Sequence, residues 1–346
     1  MLSIYVLCRV PMKSTPKNLL ALFVVAGLAA ASADIAFAAT PTKKVVVGKR
    51  AAQPTGRVVK VTYAPNTKSA KHASRASAMA NAQLAMDQDD GVTPKLASSA
   101  AAVIDQTTGD VLYEKNANLV VPIASITKLM TAMVALDAQP SLAETLTVSE
   151  ADVDTLKGTH SRLSVGTQLT REEMLRLALM SSENRASSAL SRHYPGGRSA
   201  FVAAMNQKAR ELGLTETHFS DPTGLTPANV SSARDLVKMV GAAHQYPLIR
   251  EFSTSEEHQV AIKGRAQTFR NTNALVKSDS WIIGLSKTGY ISEAGKCLVM
   301  QAWLNNKPTI IVLLDSWGKV TRIADAQRIK RWVERIAASN SGYLKS

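Results

Sequence analysis

Strand-like segments stand at both ends of the patterned part of this chain, and helix-like segments fill the stretch between them. Ala100 to Asp105 and Asp110 to Glu114 are strand-like runs joined by Gln106-Thr107-Thr108-Gly109, a hairpin signal. Three further apolar runs lie near the other end: Trp281 to Ile291, Lys296 to Leu304 and Thr309 to Leu314. The last two flank Asn305-Asn306-Lys307-Pro308, a turn. From Ser125 to about Arg250 the pattern is helical. Thr170-x-x-Glu173 forms a capping box ahead of an apolar-striped helix through Met180, and Ser231-Ser232-Ala233-Arg234-Asp235-Leu236 starts another. Val320 to Ala338 carries Ile323, Ala326, Ile329, Trp332, Val333 and Ile336 at helical spacing. This order predicts an α/β unit, with an antiparallel sheet built from the two ends, flanking helices and an inserted, mostly helical subdomain.

The first 95 residues read differently. Lys13 and Lys17, the apolar stretch Leu19 to Ala33 and the small-residue site Ala36-Phe37-Ala38 predict an export signal over residues 1–38, cleaved near Ala38. Translation starts at Met1 or at Met12. Residues 39–95 are rich in Ala, Lys, Ser, Thr and Val and show no sustained period, so they read as a basic low-complexity linker. Residues 96–346 are left as the one folded unit.

The formal charge of +14 first suggests an anionic polymer as partner. It divides as +2 on residues 1–38, +7 on 39–95 and +5 on 96–346. Half of the excess therefore sits in the linker. It acts there either as a solvated spacer or as a weak electrostatic contact with the cell envelope. Export excludes nucleic acid as the partner. Two cysteines, Cys8 and Cys297, exclude a disulfide scaffold, and Cys297 reads as a buried strand residue. His160, His193, His218, His244 and His258 lack ligand spacing, so no metal is expected.

Three short elements carry chemistry. Ser125-Ile126-Thr127-Lys128 puts a hydroxyl near a helix N-terminus and an amine one turn on, along the same face. A neutral lysine there can take the serine proton; a helix cap followed by a solvated lysine has the same sequence. Ser182-Glu183-Asn184 supplies a hydroxyl and a carboxamide that can bridge a lysine, or simply a polar turn. Lys287-Thr288-Gly289 places a cation and a hydroxyl in an apolar strand, where an anionic substrate group would pair both. An edge-strand lysine facing water is the plain alternative. Gly289 leaves room for a close approach to the strand.

In this order and spacing the three elements resemble the penicillin-recognising serine acyl-transferases. Pro122 to Ala132 is similar to the nucleophile helix of the low-molecular-mass D-Ala-D-Ala peptidases, and Met180 to Ala186 to their second motif. Phe219-Ser220-Asp221-Pro222-Thr223-Gly224-Leu225, Asn271-Thr272-Asn273 and Lys287-Thr288-Gly289-Tyr290 fit as well. The resemblance implies a β-lactamase/transpeptidase-like fold and an acyl-enzyme on Ser125. Lys128 would be the general base, and Ser182 and Asn184 proton relays and positioners. Lys287 and Thr288 would bind a carboxylate, and the backbone N–H groups of Ser125 and Tyr290 would form the oxyanion hole. It implies no metal and no cofactor, peptidoglycan stem peptides and cross-links as substrates, and β-lactams as acylating inhibitors.

Two features are similar to the D-alanyl-D-alanine endopeptidase branch: Glu183 within the second motif, and only 57 residues after Gly289, too few for the carboxypeptidases' usual C-terminal domain and membrane anchor. A periplasmic DD-endopeptidase, soluble or loosely envelope-associated, is expected. A carboxypeptidase is the alternative. A β-lactamase would want a Glu-x-x-Leu-Asn loop, which Glu211-Leu212-Gly213-Leu214-Thr215 does not match. A non-catalytic wall-binding protein would not need every motif residue.

Overall fold

A computed structural model describes residues 93–318 and 321–343 of the protein. The expected export signal and nearly all of the expected linker lie outside the described residues. The first hairpin is present as β1 (Ser98–Asp105) and β2 (Val111–Lys115), followed by the short β3 (Val121–Pro122). A tight 3-10 turn, Ala124–Thr127, runs into α1 (Lys128–Asp137). Next come β4 (Thr145–Thr147), β5 (Gln168–Thr170), α2 (Arg171–Met180), α3 (Asn184–Arg192) and α4 (Gly197–Glu211). β6 (Val230–Ser231), α5 (Ala233–Ala243), α6 (Pro247–Thr254), β7 (Glu257–Ile262) and β8 (Arg265–Arg270) complete the insertion. The chain returns through β9 (Ile283–Ile291), β10 (Gly295–Leu304) and β11 (Lys307–Ser316) and ends in α7 (Thr321–Tyr343).

The main sheet has the order β2-β1-β11-β10-β9, with every neighbouring pair antiparallel. Its central seam, Ser98↔Ser316 through Asp105↔Thr309, joins the first strand to the last, as the sequence order predicts. β1 alternates between two cores: Ala100 and Ala102 face one, Ala101 and Val103 the other. Both faces are covered, which is why the strands read as continuous apolar runs rather than as alternating ones. On one face α7 packs Ala326 and Ile329 onto Leu298, Met300, Ile311 and Leu313. On the other, α1 is buried at every position from Lys128 to Ala135 and forms the centre of the larger core.

Local signals set the element boundaries. The Thr170 hydroxyl accepts from the Glu173 N–H while the Glu173 carboxylate accepts from the Thr170 N–H (2.8 Å), so the capping box opens α2. The Ser232 side chain caps α5 through the Asp235 N–H. Asn305 and Asn306, both at positive φ, turn β10 into β11. Three features differ from the expectation. Small hairpins, β4–β5 and β7–β8, accompany the helices of the insertion. α7 extends past Ala338, and Ile336, expected on its buried face, is 41% exposed.

Candidate active site

Ser125 lies in the 3-10 turn ahead of α1, not inside the helix itself. With three residues per turn, side chains at i and i+3 stack directly, and this brings Lys128 under Ser125. Lys128 Nζ donates to Ser125 Oγ (2.7 Å), Asn184 Oδ1 (2.8 Å) and the Thr223 carbonyl (2.7 Å). The lysine is fully buried, which excludes the solvated-lysine reading. Burial pulls its pKa down to about 7, against the opposing pull of Asp221 and Glu183.

Two of these partners, the Thr223 carbonyl and Asn184 Oδ1, can only accept. When Lys128 is neutral, its two N–H bonds are taken by them, and its lone pair is left pointing at the Ser125 hydroxyl. The Asn184 amide is held in that sense because its Nδ2 donates to Thr159 Oγ1 (3.2 Å), and Thr159 is itself fixed by Asp154.

The second motif divides between two lysines. Asn184 meets Lys128, whereas Ser182 Oγ accepts from Lys287 Nζ (2.8 Å). Ser182 adopts φ +62°, an uncommon conformation for a non-glycine residue and one found at sites where geometry is imposed by function. Glu183 turns away from the lysines; its carboxylate accepts from Ser161 Oγ (2.6 Å) and pairs with Arg162.

Lys287 is 1% exposed although β9 is the edge strand of the sheet, so it does not face water. Burial, then Lys128 and Arg322, push its pKa well below the ordinary lysine value. Thr288 Oγ1 donates to Thr272 Oγ1 (2.7 Å), and Thr272 N–H is tied to the Met180 carbonyl. Lys287, Thr288, Thr272 and Ser182 thus gather an amine and three hydroxyls beside the edge of the sheet.

What approaches Gly289 is the nucleophile turn. A Cβ there would lie 2.9 Å from the Ile123 carbonyl and 3.1 Å from the Ser125 nitrogen. Gly224 has the same role from the other side: it sits at φ +82°, and a Cβ would fall 2.0 Å from the Ala124 carbonyl. The Ser125 backbone is therefore held between β9 and the Asp221–Leu225 turn. Asp221 orders that turn by accepting from the N–H groups of Thr223 and Gly224 and from Asn229 Nδ2.

Arg322 of α7 carries no motif signature, and the sequence reading missed it. Its Nη1 donates to the Gly289 carbonyl (2.9 Å) and to the Cys297 carbonyl (3.2 Å). In a trans peptide the C=O and the next N–H point in opposite directions. Holding the Gly289 carbonyl from within aims the Tyr290 N–H at the free edge of β9, on the side of Ser125. The Tyr290 side chain itself is 61% exposed. Thr159 and Asp154 were also missed as parts of the site, since neither is marked by spacing; Thr223 lay within a motif that fits the family, but its carbonyl's contact with Lys128 was not foreseen. Cys297 is buried as expected, and burial pushes its thiol up to about 12.

A buried lysine facing a serine, a Ser-x-Asn segment and a Lys-Thr-Gly strand edge on this sheet define a serine acyl-transferase of the Ser-x-x-Lys type. Comparison with known proteins narrows the class. The profile of the D-alanyl-D-alanine carboxypeptidase family, peptidase family S11, matches residues 85–318, and the chain belongs to that family. A D-alanyl-D-alanine endopeptidase of Pseudomonas aeruginosa is 52% identical over 242 residues, 69% of this chain and 78% of the relative. One from Escherichia coli K12 is 49% identical over 243 residues, 70% and 78% of the two chains. Among solved structures, the Streptomyces K15 DD-transpeptidase is similar with a TM-score of 0.65 at 30% identity, covering 70% of this chain and 98% of that one.

Proposed function

We propose that this protein is a serine D-alanyl-D-alanine endopeptidase that opens D-alanyl cross-links in peptidoglycan, working in the periplasm after removal of its leader. The observation that carries the chemistry is Lys128: it is fully buried, drawn to about 7, and its only partner able to give up a proton is the Ser125 hydroxyl. The 49–52% identity to endopeptidases supports this branch.

Neutral Lys128 takes the Ser125 proton as Oγ attacks the D-alanyl carbonyl. The oxyanion is met by the N–H groups of Ser125 and Tyr290, each such donor supplying about 10²–10³ in rate. The proton on Lys128 then passes to the leaving nitrogen, the C–N bond breaks, and an ester on Ser125 remains. A water molecule gives a proton to neutral Lys128 as it attacks the ester; the C–Oγ bond then breaks as Lys128 returns that proton to Ser125 Oγ, and the donor stem leaves as a carboxylate, its remaining proton passing to solvent. Asn184 fixes Lys128, and Lys287 with Thr288, backed by Ser182 and Thr272, neutralises the carboxylate beside the leaving amine. β-Lactams acylate the same oxygen.

With a terminal D-alanine as leaving group, the same steps describe a carboxypeptidase. The family's description favours that second reading, as do relatives such as the 36% identical carboxypeptidase of Bacillus subtilis. Mass spectrometry of products from purified cross-linked muropeptide dimers, with and without penicillin, decides between them. Penicillin-sensitive conversion of dimers to monomers is expected. Intact dimers beside trimmed pentapeptides would overturn the endopeptidase reading.

A further inference from the structure

One ion pair outside the catalytic set joins the loop before Thr159 to the β9–β10 turn. Lys157 Nζ binds Glu293 Oε1, and both side chains are partly exposed. Lys157 belongs to the loop that holds Asn184 through Thr159 two residues later, and Asp154 shapes this loop by accepting from the N–H groups of Leu156, Lys157 and Thr159. Glu293 lies in the β9–β10 turn, three residues past Tyr290.

Followed bond by bond, the contacts close a ring around the nucleophile. They run from Ser125 to Lys128, Asn184, Thr159 and Lys157, then through Glu293 back along β9 to Gly289, which abuts the Ser125 backbone. β9 is the edge strand, so an extended peptide acylating Ser125 can pair along its free side. Past Tyr290 such a peptide enters the space between β9 and the Lys157 loop, which the ion pair spans. Two exposed apolar side chains, Leu156 (66%) and Tyr290 (61%), stand on the two walls there.

We infer that the Lys157–Glu293 pair is a strap across the acyl-donor side of the cleft and acts as a specificity determinant. A small acylating agent fits beneath it. A stem peptide continuous with a glycan strand cannot be threaded from an end, so the strap opens before each such substrate binds. The inference rests on the endopeptidase reading. Lys157 and the Ser292 hydroxyl hold the Glu293 carboxyl down at about 2, so it remains a carboxylate from pH 5 upward, and salt is what loosens the pair.

The test uses the full chain and the ratio of kcat/KM on muropeptide dimers to the acylation rate with benzylpenicillin. Lys157→Met and Glu293→Gln should each raise that ratio about two- to fivefold, the range that an exposed ion pair commands. Added salt should raise the wild-type ratio but not that of the variants, and Lys157→Glu with Glu293→Lys should restore it. Equal changes on both substrates would overturn the strap. So would a fall with Lys157→Met alone, which would mark Lys157 as a direct contact to the stem. A wild type that takes up penicillin yet leaves dimers intact would overturn the endopeptidase reading, and the strap with it.

Discussion

Lys128 shows how one residue's surroundings set its chemistry. In water its amine would stay protonated to about its ordinary 10.5; buried under Ser125 it titrates near 7. Only the neutral amine can accept the Ser125 proton, so the rate of penicillin acylation should climb as pH rises through about 7. Stopped-flow acylation between pH 5 and 9 checks this, and a rate still rising steeply above pH 9 would contradict it. Stability follows the same group. The unfolded chain holds the extra proton between about 7 and 10.5, so on account of Lys128 the fold gains stability as pH rises across that window. Lys128→Arg keeps a cation that does not deprotonate, and should slow acylation by about 10²–10⁴-fold.

At the scale of elements, the site depends on how closely three backbone segments approach. β9, the 3-10 turn and the Asp221–Leu225 turn meet at Gly289, Ala124 and Gly224. Gly289→Ala forces β9 away from the Ile123 carbonyl by a few tenths of an ångström or more, and the Tyr290 N–H moves with it. Acylation should then fall by about 10²-fold, the cost of a misplaced reacting group. The melting temperature should change by only a few degrees, because β9 is an edge strand and still pairs with β10. Acylation and thermal unfolding measured on the same sample separate the two effects. Loss of the fold with Gly289→Ala would show that this approach is structural rather than catalytic.

Across the whole chain, charge is unevenly distributed. The basic stretch 39–95 carries +7, half of the total. Removing residues 39–92 should leave penicillin acylation unchanged and abolish salt-releasable retention on isolated sacculi; retention that ignores both salt and the deletion would refute an electrostatic contact. Among the described residues no helix is long and apolar enough to cross a membrane. Much of the folded unit is legible from local pattern: the first hairpin, the capping box at Thr170, the three closing strands, and sheet formation from the two chain ends. These features rest on short-range rules of periodicity, capping and turn chemistry, which a sequence displays directly. Ser125, Lys128, Ser182, Asn184 and Lys287 are picked out together by the resemblance to the penicillin-recognising serine acyl-transferases, since each motif alone has a plain structural reading. Other features depend on segments far apart in the chain, and no local pattern encodes them. Packing against the Asp221–Leu225 turn buries Lys128 and brings it the Thr223 carbonyl from 95 residues away. The split of Ser182 and Asn184 between two lysines, the grip of Arg322 on the Gly289 carbonyl and the Lys157–Glu293 strap each join elements whose proximity only the tertiary fold decides.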